Sequence, residues 1–255
     1  MSTPALTPTR ILLVTGGSRG IGAATAVLAA RAGWDVAINY TRDATAAEAV
    51  AAEVRALGRR AMVVQADVAD ETQVLAMFAA VDASLGRVTG LVNNAGIVDL
   101  PARVDEMSLQ RLQRMWAVNI TGSFLCAREA LKRMSRRHGG PGGAIVNLSS
   151  AAARLGSPNQ YVDYAASKGA IDTFTLGLAR EVAAEGVRVN GVRPGIIDTD
   201  IHASGGQPDR AAQMAPSVPL QRAGTSEEVA AAIVWLLSDE ASYATGTTID
   251  VTGGR

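Results

Sequence analysis

The chain has very little of several residue types that would point to particular functions. It has one cysteine, Cys126, in 255 residues, so no intrachain disulfide forms and a reducing compartment, the cytoplasm, is expected. That cysteine lies in the helical pattern GSFLCAREALKRM, where a small buried thiol is expected rather than a nucleophile. The two histidines, His138 and His202, lack metal-ligand spacing, and no metal site is expected. Neither charge sign is in excess: Lys plus Arg and Asp plus Glu number 24 each, which removes the electrostatic reason to expect nucleic acid or an anionic membrane as partner. No apolar run approaches the ~20 residues of a membrane span. The opening MSTPALTPTR lacks the apolar core of a signal peptide.

What the chain has in quantity is apolar residues, 48% against 19% charged, enough for a large core and against disorder. Short apolar runs alternate with helical stretches. The runs are Ile11–Val14, Val36–Ile38, Ala61–Val64, Leu91–Val92, Ala144–Leu148, Val187–Val192 and Thr248–Val251. Between them lie helical patterns over Gly20–Ala32, Ala44–Leu57, Thr72–Ser84, Leu109–Arg137, Val162–Ala184 and Ser226–Leu237. Alternation of this kind implies a parallel sheet covered on both faces. The expectation is one α/β domain over residues 1–255, a doubly wound Rossmann-type fold with seven parallel strands. Thr225 with Glu228 forms a capping box before VAAAIVWLL, and Ser108 can cap the long helix after it. The cations Lys132, Arg133, Arg136 and Arg137 sit where a helix ends before glycines, as the helix dipole favours. The stretch Thr199–Gly224 has no helical or strand pattern and reads as a functional loop, a substrate lid.

Two motifs carry chemistry. After the first strand, ILLVTGGSRGIGAATAVLAARAG places Gly16, Gly20 and Gly22 in the turn that opens the first helix. Glycines there let backbone approach a pyrophosphate, and the helix N-terminus offers free N–H groups to it. A carboxylate at the end of the second strand would bind the ribose 2′-hydroxyl of NAD. Here Asn39, Tyr40 and Thr41 fill that end, followed by Arg42, and Arg19 stands at the start of the first helix. A cation there is disfavoured by the dipole unless an anion is bound, so NADP(H) is favoured over NAD(H). The second motif, DYAASKGAID, puts Tyr164 and Lys168 one helical turn apart on one face. A phenol beside an ammonium is expected to titrate below its ordinary ~10 and to move protons. Tyr161 has alanine, Ala165, four residues on, and reads as a packing residue.

The chain resembles the short-chain dehydrogenase/reductase family over essentially its whole length. TGGSRGIG, ADV, NNAG, VNITG, IVNLSS, YAASK, RPGIIDTD and TGTTIDVTGG occur in family order. The resemblance implies a catalytic set of Asn119, Ser150, Tyr164 and Lys168, with Ser150 preferred to its neighbour Ser149. It adds Ser18 and Ile21 to the glycine turn, implies that Asp67, with Val68, contacts adenine, and makes Asn93, Ala95 and Gly96 a cofactor wall. Pro194, Gly195, Ile197 and Thr199 would hold the nicotinamide amide, and Asn119 a water linking Lys168 to solvent. It implies hydride transfer between NADP(H) and a carbonyl or secondary alcohol, with Tyr164 as general acid and base, and a homotetramer. A catalytically silent dinucleotide sensor on the same scaffold is the competing reading. The pocket is expected to be lined by Ile97, Val98, Ala152, Arg154, Ile196 and the 199–224 loop, with His202 and Met214 on the lid. A 3-oxoacyl thioester, a simple sugar and a small ketone are left open as substrates.

Overall fold

A computed structural model describes residues 10–255. The opening segment through residue 9 and the side chain of His202 lie outside the described residues. Seven parallel strands form one sheet in the order β3-β2-β1-β4-β5-β6-β7. They are β1 Ile11–Val14, β2 Asp35–Tyr40, β3 Ala61–Gln65, β4 Gly90–Asn93, β5 Gly143–Leu148, β6 Val187–Pro194 and β7 Thr248–Val251. The central strands are apolar along both faces, because helices cover both. One face carries α1 (Gly20–Arg31), α2 (Ala44–Ala56) and α10 (Ser226–Leu237) over Leu12, Val14, Ile38, Val92 and Val146. The other carries α3 (Glu71–Ser84), α5 (Gly122–Met134) and α7 (Val162–Val182) over Leu13, Leu91, Ile145 and Val189. The strand order reverses between β1 and β4, so a crevice opens beyond their carboxyl ends, where such sheets bind ligands.

Local signals set several helix starts. Asp43 accepts from Ala46 N to begin α2, Asp70 from Gln73 N to begin α3, and Ser108 from Arg111 N to begin α4 (Leu109–Trp116). At α10, Thr225 Oγ1 accepts from Glu228 N and Glu228 Oε2 from Thr225 N, at 3.3 and 2.9 Å. No helix among the described residues is long and apolar enough to cross a membrane.

Two expectations need correction. The single helix read over Leu109–Arg137 is two, α4 and α5, joined by a π turn over Ala117–Thr121, and α5 stops at Met134. The turn is held by Asn119, whose side chain bonds Ile97 and Ser167 outside the helix and Met115 Sδ one turn back within it. Gly122 is required just beyond, since a Cβ there would lie 2.7 Å from Val68 Cγ2. The stretch 199–224 is not structureless either. It contains α8 (Ile201–Ser204) and α9 (Arg210–Met214), with a further 3-10 turn at Ala215–Ser217. These helices are too short to show a periodicity, which is why the sequence reads as a loop. The remaining short helix, α6 (Ala152–Leu155), follows β5.

Candidate active site

The turn from β1 into α1 is built for close approach. Gly16 and Gly20 take the left-handed region at φ 60° and 54°. A Cβ on Gly22 would lie 2.4 Å from Gly16 O and 2.6 Å from Asn94 Nδ2, so the first turn of α1 packs directly on the loop. Two asparagines lock it: Asn39 Oδ1 accepts from Gly16 N at 3.1 Å, and Asn94 Nδ2 donates to Thr15 O and Gly16 O, both at 2.9 Å. Helices α2, α3, α4 and α10 are capped by a side chain at their N-terminus, whereas α1 is not. Its cap residue Arg19 is extended and exposed, and Ser18 precedes it. Free N–H groups at a rigid glycine turn fit a pyrophosphate.

Around this turn the sequence-assigned residues divide. Asn39 is 1% exposed and donates to Ala66 O at 3.0 Å, so it shapes the turn and does not reach a ribose. Asn93 is likewise buried. Its Nδ2 donates to Asn147 Oδ1 at 2.9 Å and to Ser123 O at 3.2 Å, tying β4 to β5 and α5. The cavity wall belongs to its neighbour Asn94, with Gly96. Asn94 was legible only as part of NNAG, since nothing distinguishes the two asparagines by type. Ala95 gives its N–H to Thr15 Oγ1 at 3.0 Å. Val68 is buried core against Gly122. One Asp67 oxygen accepts from Ala69 N at 3.0 Å, and the other pairs with Arg114 at 3.0 Å. Tyr40 is half-buried, and Thr41 and Arg42 are exposed. Among the described residues neither Arg19 nor Arg42 has an ion pair. The nearby carboxylates are engaged: Asp35 with Arg59 and Arg60 at the far end of β2, and Asp43 as the cap of α2.

The reaction end lies where β5 meets α7. Tyr164 and Lys168 project from the first two turns of α7, and Lys168 Nζ sits 5.6 Å from the centre of the Tyr164 ring. Lys168 is 5% exposed and donates to Leu148 O at 2.7 Å. Burial pushes its ammonium down to about 8, and Asp172, one turn on, opposes that. The serine pair splits its duties. Ser149 is buried and donates to Lys168 O at 3.1 Å, whereas Ser150 Oγ accepts from Ala152 N at 3.1 Å and stands on the Tyr164 side, where it works against the rise of the phenol's pKa. The expected lowering of that phenol is not what the pair produces alone. Burial raises it, Ser150 only partly offsets this, and the ammonium is turned to Leu148 O.

Asn119 sits in the π turn, 1% exposed. Its Oδ1 accepts from Ile97 N at 2.8 Å, and its Nδ2 donates to Ile97 O at 3.0 Å and Ser167 Oγ at 3.1 Å. The side chain therefore props the loop after β4 against α7. Both Asn119 Oδ1 and Lys168 Nζ lie 3.5 Å from where a Cβ of Gly96 would be, so that glycine leaves the space between them open.

A cavity of about 490 Å³ runs from Ile21, at the start of α1, and Asn94 to Tyr164. Ile21, Gly96, Pro194, Gly195, Ile197 and Thr199 line one part, and Ser150, Ala152, Tyr161, Ile196, Arg210 and Met214 are among the other linings. Ile197 is fastened by a parallel bridge to Gly224, which closes the base of the 199–224 segment. Ile97 and Arg154 are not among the lining residues. Ile97 is held by Asn119, and Arg154 turns away to Asp250 at 2.6 Å. Tyr161 is buried, as packing predicts, but it also lines the cavity and donates to Gln207 Oε1 at 3.1 Å.

Comparison with known proteins agrees with this geometry. The family model described as Enoyl-(Acyl carrier protein) reductase matches residues 16–255. The chain is 57% identical over 245 residues to "Uncharacterized oxidoreductase YgfF" of Escherichia coli K12, covering 96% of this chain and 99% of that one. It is 38% identical over 250 residues to the 3-oxoacyl-[acyl-carrier-protein] reductase FabG of Staphylococcus aureus, covering 96% and 98%. The crystal structure of a short-chain type dehydrogenase/reductase from Mycobacterium marinum superposes with a TM-score of 0.89 at 35% identity, over 96% of this chain and 94% of that one.

Proposed function

The chain belongs to the short-chain dehydrogenase/reductase family and is an oxidoreductase; from that premise we propose that it is NADP(H)-dependent and interconverts a carbonyl and a secondary alcohol with Tyr164 as the acid and base. The observation that carries this reading is the placing of Lys168 beside the Tyr164 ring, with both of them and Ser150 lining a cavity that reaches Ile21 at the start of the uncapped helix α1. The turn at Gly16, Ser18, Gly20 and Gly22 would hold the pyrophosphate. Arg19 and Arg42 would meet a 2′-phosphate, and Pro194, Gly195, Ile197 and Thr199 would line the nicotinamide. Bound there, the dinucleotide supplies or accepts the hydride.

A phenol raised by burial is protonated at neutral pH, the state a proton donor to a carbonyl oxygen needs. Ser150 adds a second donor to that oxygen as negative charge develops on it. Once Tyr164 has given up its proton, its phenolate is stabilised by Ser150 and by the Lys168 charge nearby. At an effective dielectric of ~20, a unit charge about 5–6 Å away contributes roughly 3 kcal/mol, enough for about 2 pKa units. Asn119 fixes Ile97 and Ser167, and so the wall opposite Lys168.

Cys126, pushed up to about 12 by burial, is an inert thiol that suits the cytoplasm. Phe124 of α5, which is exposed, and Phe174 of α7 stack with ring centres 3.8 Å apart on an outer face. Such a face fits the homotetramer reading. The test of the function is NADPH oxidation against a panel of ketones. Turnover of some of them with NADPH preferred over NADH is expected, and binding of NADPH with no turnover of any ketone would contradict it.

A further inference from the structure

The substrate part of the cavity is charged in one direction. Among the described residues, its lining includes Lys168, Arg210 and Arg255, and no Asp or Glu. Lys168 belongs to the proton chemistry. Arg210, from α9, is different. Its Nη1 donates to Gln207 Oε1 at 2.7 Å and its Nη2 to Gln160 Oε1 at 2.9 Å, both neutral acceptors. Its guanidinium lies 5.3 Å from the centre of the Tyr161 ring. Tyr161 donates to the same Gln207 oxygen, so two residues of the segment over the cavity and two at the entry to α7 form one connected set. The described residues show sixteen ion pairs, yet none involves Arg210.

A half-buried guanidinium held by two amide oxygens and an aromatic face is oriented but not neutralised. Buried charges are normally paired. Guanidinium binds carboxylate through parallel N–H···O bonds, and the planar fork is costly to arrange unless it is held in place. Here the glutamines and Tyr161 hold it. Three other arginines of the same structure show the contrast. Arg111 is bidentate to Asp163, Arg193 bridges Asp172 and Asp250, and Arg133 joins Asp82 to Glu129. Those arginines are neutralised within the chain, while Arg210, facing the cavity, is left with its charge available. The size of the space bears on the ligand as well. Since about 490 Å³ also includes the nicotinamide side, the remainder suits a small molecule.

We infer that Arg210 is a substrate-recognition residue, and that the substrate is a small oxo or hydroxy compound bearing a carboxylate at the end away from the reacting carbon. This rests on the carbonyl–alcohol reading above and narrows it. A guanidinium set in a held fork, facing a cavity lined by no Asp or Glu among the described residues, selects a monoanion over its neutral counterpart. A charge-assisted contact of this kind is expected to favour the acid over its uncharged analogue by roughly 10- to 100-fold.

The test uses the full chain with NADPH and paired probes in which the distal carboxylate is present or masked: 4-oxopentanoate and 5-oxohexanoate against their methyl esters. Equilibrium binding of pentanoate and pentanamide is measured in parallel. The wild type is expected to favour the acids by at least ~10-fold in kcat/KM, through KM. Arg210→Gln is expected to bring the acid-to-ester ratio to about one, and Arg210→Lys to leave an intermediate ratio. Gln160→Met, which removes one tether but keeps the cation, separates recognition from simple fastening of the segment. It is expected to keep an acid preference. Equal use of acid and ester by the wild type, or an equal loss of both in Arg210→Gln, would overturn the inference while leaving the reductase reading in place. Arg210-dependent binding of pentanoate over pentanamide without turnover of either series would uphold the anion site and overturn the reductase reading.

Discussion

The two ends of the cavity solve opposite electrostatic problems. At the glycine turn the binding groups are main-chain N–H groups and the nearby cations, Arg19 and Arg42, are exposed. At the proposed reaction end the groups are side chains largely withdrawn from bulk water: Lys168 is buried and driven down to about 8, and the half-buried Tyr164 phenol is driven up. The first arrangement costs the fold little and is open to screening by salt. The second burdens the folded state with a cation it would bury more easily neutral. The contrast teaches that stability and function are separated in space, with the destabilising charge placed where the chemistry needs it.

The comparison breaks most sharply at Lys168. Replacing Lys168 by Met is expected to cut turnover by at least ~100-fold without lowering stability at pH 7. The sign follows from the shift. The folded pKa, about 8, lies below the ordinary 10.5, so a cost of about 3 kcal/mol is present below pH 8 and is relieved as pH rises toward 10.5. The wild type should therefore gain stability relative to Lys168→Met between pH 8 and 10.5, measurable by urea unfolding at a series of pH values. A variant that is less stable at pH 7 and shows no pH-dependent difference would mean the ammonium is well solvated.

At the other end, Arg19→Ala combined with Arg42→Ala is expected to weaken NADPH by roughly 10-fold or more and NADH far less, as charge-assisted contacts to a phosphate would. The preference should also shrink as salt rises, because exposed charges are screened over ~8–10 Å at ordinary ionic strength. Equal weakening of both coenzymes, read by fluorescence titration, would remove the coenzyme argument. The smallest effect concerns Asp172, whose carboxylate raises the Lys168 pKa and whose Oδ1 is buried without a hydrogen-bond partner among the described residues. Asp172→Asn is expected to move the alkaline limb of the reduction rate to lower pH by less than about one unit, in keeping with one partly screened charge. An unmoved limb would show that Lys168 does not set it.

The same contrast explains what could be read in advance. The strand–helix alternation, the sheet and the Tyr164–Lys168 spacing follow from periodicity and a single helical turn, and the structure presents all three. Asn39 reads as a ligand contact because polar residues at strand ends usually face solvent, and Asn93 because the resemblance places NNAG on the cofactor wall. Here both are buried and satisfied by backbone or by Asn147, and whether an amide points in or out is decided by packing across strands distant in sequence. The direction of the phenol shift was hidden for a related reason. Spacing brings a cation near, while burial, which acts against it, exists only once the chain has folded. The break at Ala117–Thr121 and the helices over residues 201–214 are set by contacts of single residues, such as Asn119 with Ile97, and leave no repeating pattern.

The most direct test of the reaction end is single-turnover NADPH oxidation by wild type and Tyr164→Phe, with NADPH affinity determined on the same samples. The phenylalanine variant should bind NADPH within about 2-fold of wild type and oxidise it at least ~100-fold more slowly. Near-normal oxidation at unchanged affinity would place the proton donor on another residue and contradict the account.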